Sequence, residues 1–97
     1  MKTIEKQSVI IEKEEIQNLR FSRIEVLSDP KMQEQRKYDL YRSQILGNIS
    51  HGKVWLTFET SDGQLFKVCT TIWAVGDKFI ILKRGVSIPI HAIHQID

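Results

Sequence analysis

Two histidines near the end of the chain have the spacing of a metal-binding pair. His91 and His94 are three positions apart, which puts both imidazoles on one side of a helical turn but on opposite faces of a strand. Asp97 offers one further oxygen, whereas zinc usually takes four protein ligands, or three and a water molecule. We therefore interpret the histidines as polar residues at the end of a domain, and we predict no metal and no cofactor.

The single cysteine, Cys69, could form a nucleophile pair with a histidine. A reactive cysteine needs an electropositive, partly exposed setting, but Cys69 lies between Val68 and Thr70 in a predicted strand. This position favours a buried side chain that packs as a small hydrophobe. The sequence contains no nucleophile-elbow, phosphate-loop or dinucleotide-binding motif. We predict that the protein is not an enzyme and has no catalytic residues.

One local cluster combines positive charge with an aromatic ring. Lys78, Lys83 and Arg84 lie close in sequence to Phe79. Cations of this kind contact phosphates, and an exposed ring stacks on a base. Lysines at the edge of a sheet also discourage edge-to-edge aggregation, which is the structural alternative.

The two tryptophans, Trp55 and Trp73, could also stack on bases. Trp55 falls on the polar face of its predicted strand, opposite the apolar face. We favour the alternative that it packs in the core or beneath the predicted helix, against Tyr38 and Tyr41.

A helix is predicted over residues 28–47. Asp29 is a suitable N-cap, and Pro30 suits the first helical position. Gly47 is a natural left-handed residue after the last turn. An apolar stripe at spacings of three and four predicts the face that packs on a sheet, and its residues are Tyr38, Tyr41 and Ile45.

Residues 53–97 show the pattern of an antiparallel sheet. Alternating apolar residues begin at Val54, and Asp62-Gly63 predicts a hairpin. The segment Leu65–Val75 is apolar on both faces, which predicts one long strand that bends sharply. The predicted core consists of Val54, Leu56, Phe58, Val68, Ile72, Ile80, Leu82, Ile88, Ile90 and Ile93.

The sequence of the N-terminal segment, residues 1–27, does not predict one structure for the whole segment. Residues 7–11 could form a strand, and residues 12–20 contain helix-forming residues with little apolar stripe. Residues 21–27 alternate as a short half-buried strand would.

Length and charge limit the class of protein. The 97 residues amount to one domain, and the net charge of +2 is spread over both halves of the chain. Binding of nucleic acid by charge alone is not indicated, and the longest apolar runs are far shorter than the ~18 residues of a membrane span. The first six residues lack the apolar centre of a signal peptide. We predict a cytoplasmic protein without a membrane partner, and its thin core makes a homo-oligomer plausible.

From about Asp29 to the C-terminus, the order of elements resembles the Sm-like family, including its bacterial RNA chaperones of the Hfq type. The residues that carry the likeness lie in residues 77–83 and 88–93. The resemblance implies a ring that binds RNA, with Phe79 as a base-stacking residue and His91 as a pore histidine. Pro89 and Ile90 stand where that family has a tyrosine and a lysine. A Thr-Thr-Ile-Trp stretch and an Ile-Pro-Ile-His ending are also similar to those of short bacterial proteins, a likeness that carries no activity.

Together these observations predict a single domain that is mainly β with one packed helix (α+β). We expect a small SH3-like or Sm-like, strongly bent antiparallel barrel. The predicted function is a binding or assembly module, with RNA as the candidate ligand; the alternative is a protein–protein interaction or self-assembly module without nucleic acid. The candidate RNA-binding residues are Lys78, Phe79, Lys83, Arg84 and His91.

Overall fold

A computed structural model describes residues 7–97, and within them one long helix and seven strands form an α+β fold. The strands are β1 (Ser8–Ile10), β2 (Val54–Glu59), β3 (Leu65–Thr70), β4 (Ile72–Val75), β5 (Phe79–Leu82), β6 (Ser87–Pro89) and β7 (Ile93–Ile96). The helix, α1, spans Pro30–Ser50, and short 3-10 helices occupy Lys13–Asn18, Lys83–Gly85 and Ile90–Ala92. The predicted α+β class is confirmed.

The strands form two sheets. One has the order β1-β3-β2-β7, and the other has the order β4-β5-β6. The pairs formed within residues 53–97 are antiparallel, as predicted, whereas β1 adds to the edge of β3 in parallel.

The chain passes from one sheet to the other at Thr71. The predicted single strand over Leu65–Val75 is therefore two strands, β3 and β4, that belong to different sheets. Thr71 is buried at this crossing, and its carbonyl accepts a hydrogen bond from the amide of Lys83 at 3.1 Å. The abrupt turn explains why the sequence is apolar on both faces here, since the inward direction changes along the segment.

One apolar core lies between the two sheets and the helix. Nine of the ten predicted core residues are buried, and Ile90 packs partly buried against them. Ile11, Ile16 and Leu40 complete this cluster from the N-terminal segment and the helix. The alternation of apolar residues thus identified the core face of each strand correctly.

The N-terminal segment follows only part of its prediction. The strand predicted in residues 7–11 is present as β1, and a 3-10 helix with a buried Ile16 replaces the helix-forming stretch. The strand expected over residues 21–27 is wrong: only Phe21 makes a bridge, to Thr60, and Ile24 is 73% exposed. Hydrogen bonds to other elements hold this stretch instead of a ladder.

The helix begins where predicted but ends later. Asp29 caps its N-terminus by accepting a hydrogen bond from the Lys31 amide at 2.9 Å. The stop predicted at Gly47 is wrong, because the helix continues to Ser50 and His51 is the left-handed cap, with φ of 57°. Gly47 lies inside the helix against β4, where a Cβ atom would overlap the carbonyl oxygen of Ile72. The missing side chain at Gly47 therefore allows the helix to pack closely on β4, and it does not serve to end the helix.

The predicted packing face of the helix is also wrong. The residues that face the core are Arg36, Leu40, Ser43 and Gly47, at helical spacings of four and three. Tyr38, Tyr41 and Ile45 point away from the core and are exposed.

Candidate functional site

The candidate RNA-binding residues lie at two ends of one strand. Phe79 begins β5 and Lys78 immediately precedes it, whereas Lys83 and Arg84 lie in the 3-10 helix that follows the strand. Lys83 lies five positions after Lys78, and five steps of extended chain span about 16 Å. Phe79 is half-exposed, so its ring is accessible. Of the three cations, Lys78 alone is next to Phe79 along the chain.

The two histidines have different partners. Nε2 of His91 lies 2.6 Å from the carbonyl oxygen of Ser22, and Nε2 of His94 lies 2.7 Å from Oε1 of Glu59. His91 belongs to the 3-10 helix Ile90–Ala92. The first residue of this helix lies next to Lys78, since the Ile90 amide donates a hydrogen bond to the Lys78 carbonyl at 2.8 Å. Within residues 7–97, the structure brings together no group of three or more metal-ligating side chains.

Cys69 is exposed, which contradicts its predicted burial. It projects from the outer face of β3, directly opposite Trp55 of β2. The ring of Trp55 lies under Lys67, with Nζ 5.6 Å from the ring centroid, a cation–π contact on the solvent side of the sheet. Tyr38 and Tyr41, the predicted packing partners of Trp55, are mostly exposed.

An ion pair between the buried Arg36 and the partly exposed Glu25 fixes the inner face of the helix. Nη1 and Nη2 of Arg36 each donate to a carboxylate oxygen of Glu25 at 2.7 Å, and Nη1 also donates to the carbonyl of Ile93 at 3.0 Å. The hydrogen bonds from Arg36 hold the pKa of Glu25 below its usual range. This bidentate pair ties the segment before the helix to both α1 and β7.

The opposite side of α1 carries the largest apolar side chains of the helix. Tyr38, Tyr41, Ile45 and Ile49 follow spacings of three, four and four, and are 57%, 58%, 42% and 79% exposed. We call these four residues the helix face. Leu46 is exposed beside them.

A groove runs alongside the helix face, between α1 and the turn that joins β4 to β5. Its volume is about 680 Å³, and its walls include Lys37, Gln44, Gly76 and Ile90. Gln44 joins the two sides, because its Oε1 accepts a hydrogen bond from the Val75 amide at 2.5 Å. Tyr38 and Tyr41 also line this groove, so it is continuous with the helix face.

Sequence reasoning named three of the four helix-face residues but assigned them to the core. The missed signal is the stripe Arg36, Leu40, Ser43 and Gly47, whose spacing is equally helical. Small residues at two consecutive positions of such a stripe mark a face that can approach a neighbouring backbone closely.

The chain matches no family model, no curated protein and no solved structure. Among the described residues, no helix has both the length and the apolar character that a bilayer crossing requires.

Proposed function

We propose that the protein is a non-enzymatic, cytoplasmic interaction module that binds another polypeptide through the helix face and the adjoining groove. The supporting observation is the distribution of side chains around α1. The helix turns one large aliphatic residue, Leu40, towards the core, and it turns two tyrosines and two isoleucines towards solvent.

Physical magnitudes support this assignment. A fully exposed large side chain presents about 200 Å² of surface, so the helix face exposes about 500 Å² in one contiguous strip. Apolar patches of several hundred Å² on a small protein usually mark interaction sites. Covering this strip would stabilise a complex through the burial of apolar surface, at roughly 25 cal/mol per Å² before the costs of association.

A photo-crosslinking experiment in the native cells tests the proposal. Benzoylphenylalanine replaces Tyr41 on the helix face or, as an aromatic control away from the groove, Trp55 on the outer face of the four-stranded sheet. We expect a discrete protein adduct from position 41 and none from position 55. Equal adducts at both positions, or no protein adduct at position 41, would contradict the proposal.

RNA binding is the second candidate function, and a different surface supports it. Trp73 and Phe79 are both about half-exposed, and Lys78, Lys83 and Arg84 are exposed near the same small sheet. The proposed likeness to the Sm-like family favours this function too. It ranks second because two of the cations lie at the far end of β5 from the Phe79 ring, and His91 is engaged with Ser22.

The way in which the two sheets combine is also a proposal. We propose that the two sheets form one strongly bent small barrel of the SH3-like or Sm-like type. The crossing at Thr71, which carries the chain directly from β3 into β4, supports this arrangement, as does the single core that both sheets share.

A further inference from the structure

We infer that the polypeptide bound by the helix face is a second copy of this chain, with the two α1 helices packed antiparallel. The inference rests on the proposed function and names its partner. It is carried by three properties of the exposed side of α1: its area, the placement of its charges and the order of its side chains.

The exposed area matches what a dimer needs. Two helix faces that cover each other remove about 1,000 Å² from water, close to the lower limit for a specific protein–protein interface. The helix is 21 residues long, or about 30 Å, so the strip from Tyr38 to Ile49 lies along most of its C-terminal two-thirds. An interface at this lower limit is typical of weak, transient complexes, so we expect the dimer to dissociate on dilution.

The charges of the helix are confined to its first part. All six charged residues of α1 lie between Lys31 and Arg42, and the segment Ser43–Ser50 has none. In an antiparallel pair with its two-fold axis near Ser43 and Gln44, the uncharged segment of each copy lies against residues 37–44 of the other, and Arg42 is the charged residue nearest the axis. The charged first turns of the two helices lie far apart in this orientation. A parallel pair would instead place Lys31 beside Lys31 and Glu34 beside Glu34, and like charges in contact disfavour association.

The side chains of the strip complement themselves in the same orientation. With a two-fold axis near Ser43 and Gln44, Tyr38 of one copy lies against Ile49 of the other, and Tyr41 lies beside Ile45. By symmetry, each of these contacts between a ring and an aliphatic side chain occurs twice in the dimer, as an isologous interface requires. The helix dipoles also run in opposite directions, which is the favourable arrangement for neighbouring helices.

Sedimentation equilibrium of the purified chain tests the inference. Reductant or a Cys69→Ser background is required, since Cys69 is free and exposed and could link two copies covalently. From about 1 µM to about 1 mM protein, we expect the mass to rise from 11.3 kDa towards twice that value.

Matched single substitutions locate the contact. Ile49→Lys places a charge in the strip, and we expect it to raise the dissociation constant at least about 30-fold. Ile24→Lys makes the same change at a similarly exposed residue off the helix, and should leave the constant within about threefold. Circular dichroism of each monomer checks that the fold is retained.

A charge-swap pair tests the orientation. Tyr38→Glu alone should weaken the dimer, and Tyr38→Glu combined with Ile49→Lys should restore it, because each glutamate meets a lysine of the other copy. In a parallel pair the double variant would set like charges together and associate less than either single variant.

Three results would overturn the inference. They are a wild-type monomer at the highest concentration, a dimer that Ile49→Lys leaves intact, and a double variant that fails to recover. A monomer whose position 41 still crosslinks to a different protein in cells would remove the second copy as partner and retain the proposed function. A monomer whose position 41 crosslinks to no protein would contradict both the second copy as partner and the proposed function.

Discussion

Arg36 shows how one residue connects parts of the fold that the sequence keeps far apart. Its guanidinium joins α1 to Glu25 and to the backbone of β7. Removing one partner of such a pair leaves a buried charge without compensation, which destabilises a fold far more than the loss of an exposed pair. The segment before the helix is therefore held by this ion pair and by the packing of Phe21 and Leu27, not by a strand ladder.

Lowering the pH should weaken the ion pair between Glu25 and Arg36. The pKa of Glu25 is lowered from 4.5 in the folded protein, so the stability it contributes is fully present above about pH 4.5. That contribution falls as the pH drops through the lower, folded pKa. Urea unfolding from pH 7 down to pH 3 should therefore show a loss of stability below about pH 4.5 that is smaller in Glu25→Gln. Identical pH profiles for the two proteins would contradict this assignment.

Gly47→Ala should destabilise the protein although alanine is the better helix former. The gain in helix propensity is about 1 kcal/mol, but the new Cβ would overlap the Ile72 carbonyl oxygen and crowd the Thr71 methyl group. Backbone atoms of β4 must then shift, so we expect a net loss of about 1–3 kcal/mol in the free energy of unfolding. Asn48→Ala, one residue further on the exposed side, is the control and should change stability by less than about 0.5 kcal/mol. A stabilised Gly47→Ala variant would show that the helix does not pack this closely.

Gly47 also shows why local sequence misplaced the end of the helix. A glycine that follows a helical pattern fits both a left-handed stop and a close contact between backbones. The choice depends on Ile72, which lies 25 positions later in the chain. By contrast, the N-terminal signal of Asp29 and Pro30 is complete within three residues, and it was predicted correctly.

At the scale of elements, strands were easier to predict than the packing of the helix. Alternation with a period of two assigns each strand residue to a face, and the buried face is the apolar one. A helical stripe such as Tyr38, Tyr41 and Ile45 predicts that one side is covered but not by what. Here side chains from the strands already fill most of the core. The helix therefore packs on the sheets through a side that includes its small residues Ser43 and Gly47, and the helix face stays exposed. The candidate interaction surface could therefore not be recognised from the sequence.

Truncation of the strands should be costly in both sheets. Leu56 in β2 and Ile80 in β5 have no exposed surface, so replacement by alanine creates a cavity in addition to the lost burial. We expect each variant to lose about 2–4 kcal/mol in urea unfolding. Losses below about 0.5 kcal/mol at both sites would mean that the inner faces of the strands are assigned backwards.

The whole molecule determines whether its two candidate functions can coexist. The helix face and the surface around Phe79 lie on different elements, α1 and the three-stranded sheet, so occupancy of one need not cover the other. A dimer would present two copies of the cationic surface. Pairing would then raise the affinity for a flexible polyanion through effective concentration, without any new contact.

RNA binding, the second candidate function, should consequently be weak, salt-sensitive and dependent on assembly. Lys78, Lys83 and Arg84 can displace at most about three counterions, which limits the salt slope for single strands to roughly −2 per copy. One exposed ring adds about 1–3 kcal/mol by stacking. With a labelled single-stranded RNA at low salt, we expect Lys83→Ala plus Arg84→Ala to reduce both affinity and slope, and Ile49→Lys to reduce affinity by preventing pairing. The control Ile24→Lys should bind as the wild type does. Wild-type protein that binds no RNA at low salt would eliminate this second function, and RNA binding that Ile49→Lys leaves unchanged would separate it from assembly.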